Sequence, residues 1–179
     1  MSLVKVEPVD TTSAQFYGYE YHPNTGHHSD AASLELITAL LFGIENKDNI
    51  PPVRLFKYEE NGTRTYELIY PTNPESTAQD GGHHRTLACI LGQHQLPAKV
   101  YDDKKLVMTE IPEYLIVNIR NLSVESRPET LKYLKSGYKI PEQILNPRRI
   151  PSPKDITHFL RQTRGKPVTS KQIIETLYN

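Results

Sequence analysis

The stretch Asp80-Gly81-Gly82-His83-His84-Arg85 gathers the residues of this chain best suited to chemistry. It runs straight into the apolar turn Thr86-Leu87-Ala88-Cys89-Ile90-Leu91 and stops at Gly92. Two glycines before an abrupt helix start let the backbone come close to a bound group. The first amides of that helix have no partner within it, and the positive end of the macrodipole points the same way. Such an end is a ready anion site. Arg85 adds a planar fork of donors, and His83 and His84 hold or release a proton near neutrality, so the anion favoured is a phosphate. Phosphate binding is therefore assigned to Gly81, Gly82, His83, His84, Arg85 and Thr86. His84 would orient the phosphates or move a proton, Asp80 would hold the histidine tautomer or a metal, and Glu45 would act as a general base or metal partner. A glycine pair alone usually marks only a turn. The layout that follows it here shifts the balance towards function.

Two other sets of reactive residues carry less. Cys89 falls four residues into the helix on its apolar side, which reads as core rather than nucleophile. His22, His27 and His28 could be grouped with His83 and His84 as a metal cluster, but no acidic or thiolate companions stand at a regular spacing, so no metal ligands are assigned.

The 179 residues suffice for one domain of ordinary size, or a smaller one with an appendage, and for a real core. Formal charge cancels to zero, so composition alone names no partner. A single cysteine rules out an internal disulfide framework and fits a reducing compartment. The longest apolar run is too short to span a bilayer and the first residues lack a signal-peptide core, so the expectation is a cytoplasmic protein with no membrane partner. Fourteen prolines and eleven tyrosines without tryptophan point to many short elements and ordered loops.

The elements that would position the glycine motif can be read in order. Val4, Val6 and Val9 alternate loosely as a short strand, and residues 11–29 read as irregular. Asp30 is a good N-cap for a helix with Leu34, Ile37, Leu40, Leu41 and Ile44 on one stripe, and Gly43 marks its end. After Pro51-Pro52 come two strand-like runs, residues 53–58 and 65–70, separated by Asn61-Gly62, the strongest short-range hairpin signal. A two-residue turn sets Leu55 opposite Leu68, Val53 opposite Tyr70 and Glu59 opposite Arg64. A polar loop, residues 71–79, precedes the motif helix, and Leu96-Pro97-Ala98-Lys99-Val100-Tyr101 is a strand entered through proline. Helix, hairpin, glycine turn, helix and strand make an α+β unit with a small mixed sheet.

This order resembles the ParB and sulfiredoxin superfamily. The matching pieces are residues 34–44, Ile50-Pro51-Pro52-Val53, Asp80-Gly81-Gly82-His83-His84-Arg85-Thr86-Leu87-Ala88, and Leu96-Pro97-Ala98-Lys99-Val100, and the resemblance spans roughly residues 30 to 102, a little under half the chain. The resemblance implies a nucleotide site, with ATP, ADP or CTP as ligand and Mg²⁺ as a companion ion. Its equivalent turn binds CTP phosphates in the ParB branch and ATP phosphates in sulfiredoxin, and a related branch phosphorylates free serine with ADP. Gly81, Gly82, His84 and Arg85 match that turn. His83 stands where sulfiredoxin has its cysteine, and imidazole cannot replace an attacking thiolate. The ParB branch carries a later Glu-Asn-x-x-Arg helix; the nearest match here, Val117-Asn118-Ile119-Arg120, lacks the glutamate. Residues 114–119 read locally as a buried strand, whereas the resemblance makes them helix.

The expected organisation is a ParB/sulfiredoxin-like domain over residues 1–125 and a helical, basic extension over 126–179. Ser126-Arg127-Pro128-Glu129 opens a helix ended by Gly137. Ser152-Pro153 starts another bearing Ile156, Phe159 and Leu160, and Thr169-Ser170-Lys171-Gln172 caps a last one with Ile173, Ile174 and Leu177. From Asn146 onwards seven Lys or Arg stand against two acidic residues, a net of +5 that leaves −5 for the rest. Two short helices with a basic surface fit a helix-turn-helix that lays Lys171 and Gln172 on DNA, although packing onto the first unit is the commoner role. The expected function is thus a nucleotide-binding protein, a phosphotransferase or NTPase. The alternatives are a DNA-binding or ParB-like DNA-cleaving protein of plasmid, phage or defence type, and a scaffold that has lost its chemistry. A homodimer is compatible with each.

Overall fold

The computed structural model of the chain describes residues 5–16, 31–68, 82–103, 105 and 141–179. Outside them fall Val4, the histidines 22, 27 and 28, the Asp30 cap, Tyr70, the 71–79 loop, Asp80, Gly81, and the elements expected over 114–119 and 126–137.

Among the described residues the elements follow in the order β1 (Val6–Val9), β2 (Gln15–Phe16), α1 (Ala31–Glu45), β3 (Val53–Glu60), β4 (Thr63–Leu68), α2 (His83–Gly92), β5 (Leu96–Tyr101), α3 (Glu142–Leu145), α4 (Pro153–Gln162) and α5 (Ser170–Ile173). The last continues as a π-helical stretch, Ile174–Tyr178. The architecture is α+β. One mixed sheet has the strand order β1-β5-β3-β4-β2.

The hairpin forms as its turn residues require. Asn61 and Gly62 both have positive φ, 53° and 75°, the type I′ geometry whose twist matches that of the strands. The turn fixes the register: Leu55 lies opposite Leu68 and Glu59 opposite Arg64. β5 then runs parallel to β3, with Val53 opposite Ala98 and Leu55 opposite Val100, and β1 closes the far edge antiparallel to β5. Val53, Leu55, Leu96 and Ala98 are buried on one face, the period-two pattern of a sheet covered by helices. The two-residue β2, parallel to β4, corrects the expectation of an irregular segment: Phe16 stacks on Tyr66 with ring centroids 5.3 Å apart. Two residues are too few for any period to show.

The first helix departs from its expected pattern in two ways. Every residue from Leu34 to Leu41 is buried, so α1 is enclosed all round instead of showing a single stripe. It also runs past Gly43 to Glu45. Its end is a Schellman motif, with Lys47 left-handed at φ 59°, Asp48 N–H donating to Gly43 O (2.9 Å) and Lys47 N–H to Ile44 O (3.1 Å). Gly43 is thus the third residue from the end of the helix, not the residue after it. Helix α2 ends the same way at Gln93, and α1 crosses so close that a Cβ on Gly92 would lie 2.6 Å from Leu41 Cδ1.

The tail packs into the same interior. Ile144, Ile156, Phe159, Val168, Ile173 and Leu177 share one apolar core with Leu34, Leu55 and Leu87, each such side chain contributing about 1.5–3 kcal/mol on burial. Both expected caps form. Ser152 and Asp155 make a capping box on α4, and Thr169 and Gln172 one on α5. Val168 N–H donates to Leu91 O (3.0 Å) and Gln93 Nε2 to Gly165 O (3.1 Å), which ties the tail to the end of α2. Arg149 donates from Nε to Leu177 O (2.9 Å), placing a cation at the negative end of the last helix. No helix among the described residues is long and apolar enough to cross a membrane.

Candidate functional site

Gly82 is the pivot of the glycine motif. It is the N-cap of α2, in the left-handed conformation at φ 75°, ψ 8°. A Cβ built there would lie 2.4 Å from Val53 Cγ1, so both its dihedrals and the approach to β3 demand glycine. With no side chain, Gly82 cannot cap α2, and the helix begins without a side-chain cap. Its carbonyl instead accepts from Thr86 N–H (3.0 Å) and Thr86 Oγ1 (2.9 Å), so the buried Thr86 hydroxyl is turned back along the helix.

Arg85 lies in the first turn, but its guanidinium points into the protein. The residue is only 5% exposed, and Nη1 donates to Pro51 O at 2.6 Å, with a longer contact to Pro52 O at 3.4 Å. The two carbonyls belong to the segment that leads into β3, so one side chain locks the start of α2 to the start of the central strand. Arg85 therefore acts as a positioning residue here. His84 is half-buried at the second position of the helix, and His83 opens it. Asp80 and Gly81 fall outside the described residues.

Cys89 is fully buried within α2, with Sγ 3.7 Å from Gln95 O. Burial pushes its thiol up to about 12, and the opposing pull of the Arg85 charge does not reverse this. Burial thus disfavours the thiolate that nucleophilic or redox chemistry needs. The core reading from its place in the helix agrees.

Glu45 is engaged elsewhere. Its carboxylate accepts from Ser170 N–H (2.8 Å) and from Ser170 Oγ, capping α5 in trans at the end of α1. Ser170 lies two residues beyond Val168, which bonds to the last turn of α2, so Glu45 is held by the tail. On α5, Lys171 and Gln172 are exposed, with Gln172 Oε1 accepting from Thr169 N–H (2.9 Å) in the cap and Lys171 Nζ 3.7 Å from Glu175 in a solvent-facing pair. Among the described residues no group of three or more His, Cys, Asp or Glu could hold a metal ion. A cavity of about 400 Å³ lies away from the glycine turn, lined by Glu7, Asp10, Ser13, Glu59, Arg64 and Tyr66 where β1 faces the hairpin.

Two features of the site were not visible in the residue pattern. Pro51-Pro52 signals a strand start, but nothing local marks its carbonyls as partners of a guanidinium 33 residues away. Glu35 lies fully buried inside the apolar run of α1, where the stripe pattern gives a carboxylate no place. No protein-family model, curated protein or solved structure matches the chain.

Proposed function

We propose that this is a nucleotide-binding protein of the ParB/sulfiredoxin kind, which takes the phosphates of ATP, ADP or CTP at the first turn of α2. One observation carries the reading. Gly82 is left-handed and pressed against Val53 at the start of a ten-residue helix without a side-chain cap, which supports a backbone able to meet a phosphate. Main-chain N–H groups of residues 83–85 would donate to the phosphate oxygens, aided by the helix dipole. Arg85 would hold the turn in shape through Pro51 and Pro52, with its charge acting through space in a low-dielectric setting. His84, the half-buried second residue of the helix, would orient a phosphate or transfer a proton, the step a phosphotransferase or NTPase needs. Mg²⁺, if used, would arrive on the nucleotide, because that ion keeps most of its waters and needs only one or two protein carboxylates.

The test is a thermal unfolding series with ATP, ADP and CTP, on the native chain and on His84→Glu. A ligand at 100 times its Kd adds about 2.7 kcal/mol to stability. The native protein should show a rise in Tm with at least one nucleotide. A glutamate in the first turn favours the helix dipole by about 0.3–1 kcal/mol while repelling a phosphate, so the variant should be as stable as the parent and lose the response. No rise with any nucleotide, or an equal rise in both proteins, overturns the proposal.

A further inference from the structure

The inner face of the sheet is not apolar throughout. In the ladder Glu7 lies opposite Ala98, Ala98 opposite Val53, and Glu59 opposite Arg64. Side chains alternate along each strand, so Glu7, Glu59, Arg64 and Tyr66 share the face that buries Val53, Leu55 and Ala98. The same sheet is rolled. β1 and β2 are its two edges, joined only by residues 10–14. Laid flat, those edges would stand four strand spacings, about 19 Å, apart. The joining residues form a turn, in which Thr12 N–H and Oγ1 donate to Asp10 Oδ1 (2.8 and 2.7 Å), and a turn reaches much less far than an extended chain. The edges are therefore drawn together, and the cavity of about 400 Å³ lies between β1, this turn and the hairpin.

Two observations say what would fill it. Tyr66 is 4% exposed and stacks on Phe16, and it stands in the cavity wall with no hydrogen-bond partner for its hydroxyl among the described residues. Buried hydroxyls are normally paired, so this one points to a partner that enters from the cavity. The charged wall residues are Glu7, Asp10, Glu59 and Arg64, three carboxylates against one guanidinium. The carboxylates of Glu7 and Glu59 have no partner among the described residues, and Arg64 makes no ion pair with Glu59 although the ladder sets them opposite. Hydrogen bonds from Thr12 and Ser13 hold the Asp10 carboxyl below its ordinary range, so it stays ionised. Lys57, on the same face, does not line the cavity.

We infer that this cavity binds an aliphatic diamine or polyamine. A net charge of −2 on its wall calls for a cation. Among the described residues no three acidic groups converge closely enough to hold a metal ion, so the positive charge must be spread along the ligand. Val9 and Ala14 give the methylenes an apolar wall, and the Tyr66 hydroxyl accepts from one ammonium group. The volume is that of a small-molecule pocket, about 300–1,000 Å³, and the mouth of a rolled sheet is a usual place for one. The described lining includes no residue of the glycine turn, so this site stands or falls independently of the proposed nucleotide site.

Isothermal titration calorimetry of the full chain with putrescine, spermidine, butylamine and Mg²⁺ tests it, at about 50 mM NaCl where exposed charges are only partly screened. Putrescine and spermidine should bind saturably. Butylamine, with one charge fewer than putrescine, should bind at least about 5-fold more weakly, the worth of one charge pair in contact in water, and an equal concentration of Mg²⁺ should not displace either polyamine. Glu59→Gln should weaken putrescine by about 5-fold, and Arg64→Gln, which removes a like charge from the wall, should tighten it by a similar factor. Both residues are exposed, so both variants should fold. Tyr66→Phe keeps the ring and should weaken binding by about 2- to 10-fold without lowering Tm, because the hydroxyl makes no bond within the described protein. Absence of saturable binding by both polyamines, equal affinity for butylamine, weaker binding in Arg64→Gln, or unchanged binding in Tyr66→Phe would each overturn the proposal.

Discussion

Gly82→Ala probes the contact on which the site geometry rests. A left-handed alanine costs about 1–2 kcal/mol from its own backbone. Its Cβ would also lie 2.4 Å from Val53 Cγ1 and 3.0 Å from Val53 Cβ, and both atoms belong to a side chain 2% exposed at the start of the central strand. Overpacking of that kind costs a further 1–3 kcal/mol, roughly. The sum, about 2–5 kcal/mol, corresponds to a fall in Tm of roughly 4–20 °C for a chain of this size. Val53→Ala separates the two terms. Alone it should cost about 1.5–3 kcal/mol in lost burial, but in the Gly82→Ala background it relieves the clash, so the double variant should be more stable than the sum of singles by about 1–2 kcal/mol. Urea unfolding of the four proteins measures the cycle. A Gly82→Ala protein within about 0.5 kcal/mol of the parent, or strictly additive costs, would refute the reasoning, because Gly82 would then not be held against β3.

Three further outcomes follow from the same contacts. Glu45→Ala removes both acceptors of Ser170 and should reduce hydrogen-exchange protection over residues 170–177 by about 1–2 kcal/mol without changing protection in β3; unchanged protection there would mean that the carboxylate does not hold the tail. Arg85→Lys keeps a charge but loses the planar fork, and should destabilise by about 1.5–3 kcal/mol in urea; a neutral effect would show that the Pro51 carbonyl does not depend on it. Cys89 should resist thiol reagents at pH 8 in the native state and react only on unfolding. Its ordinary value is 9.0 and its folded value about 12, so below 9 it contributes no pH dependence. Between the two, the unfolded chain ionises while the folded thiol keeps its proton, and stability falls as pH rises through that window. A Cys89→Ser variant with the same alkaline slope would contradict this.

The parts legible in the sequence are those fixed by local chemistry. Asn61-Gly62 sets both turn type and register because positive φ at two adjacent residues leaves little choice. Ser152 with Asp155, and Thr169 with Gln172, cap their helices through bonds three residues long. What escaped the sequence is non-local. The stripe on α1 hid the burial of Leu36, Glu35 and Ala39, because the number of elements packing on a helix is not written in its own period. Lys47 and Gln93 take left-handed ends that a glycine search misses. At the candidate site, the sequence reads the paired glycines as approach to a bound group, whereas the neighbour that Gly82 meets is Val53, and the direction of the Arg85 side chain is set by Pro51 and Pro52 on another element. Glu45 was chosen for its place at a helix end, and that place is what lets Ser170 recruit it.

Titration of ¹⁵N-labelled protein with ATP, ADP and CTP, read at the backbone amides, addresses the central claim directly. Phosphate accepted at the start of α2 should move the amides of His83, His84 and Arg85 more than any others among the described residues, with the effect absent in His84→Glu. Movement confined to the amides around Glu7, Asp10 and Arg64, where the open cavity lies, or none with any of the three nucleotides, would contradict it.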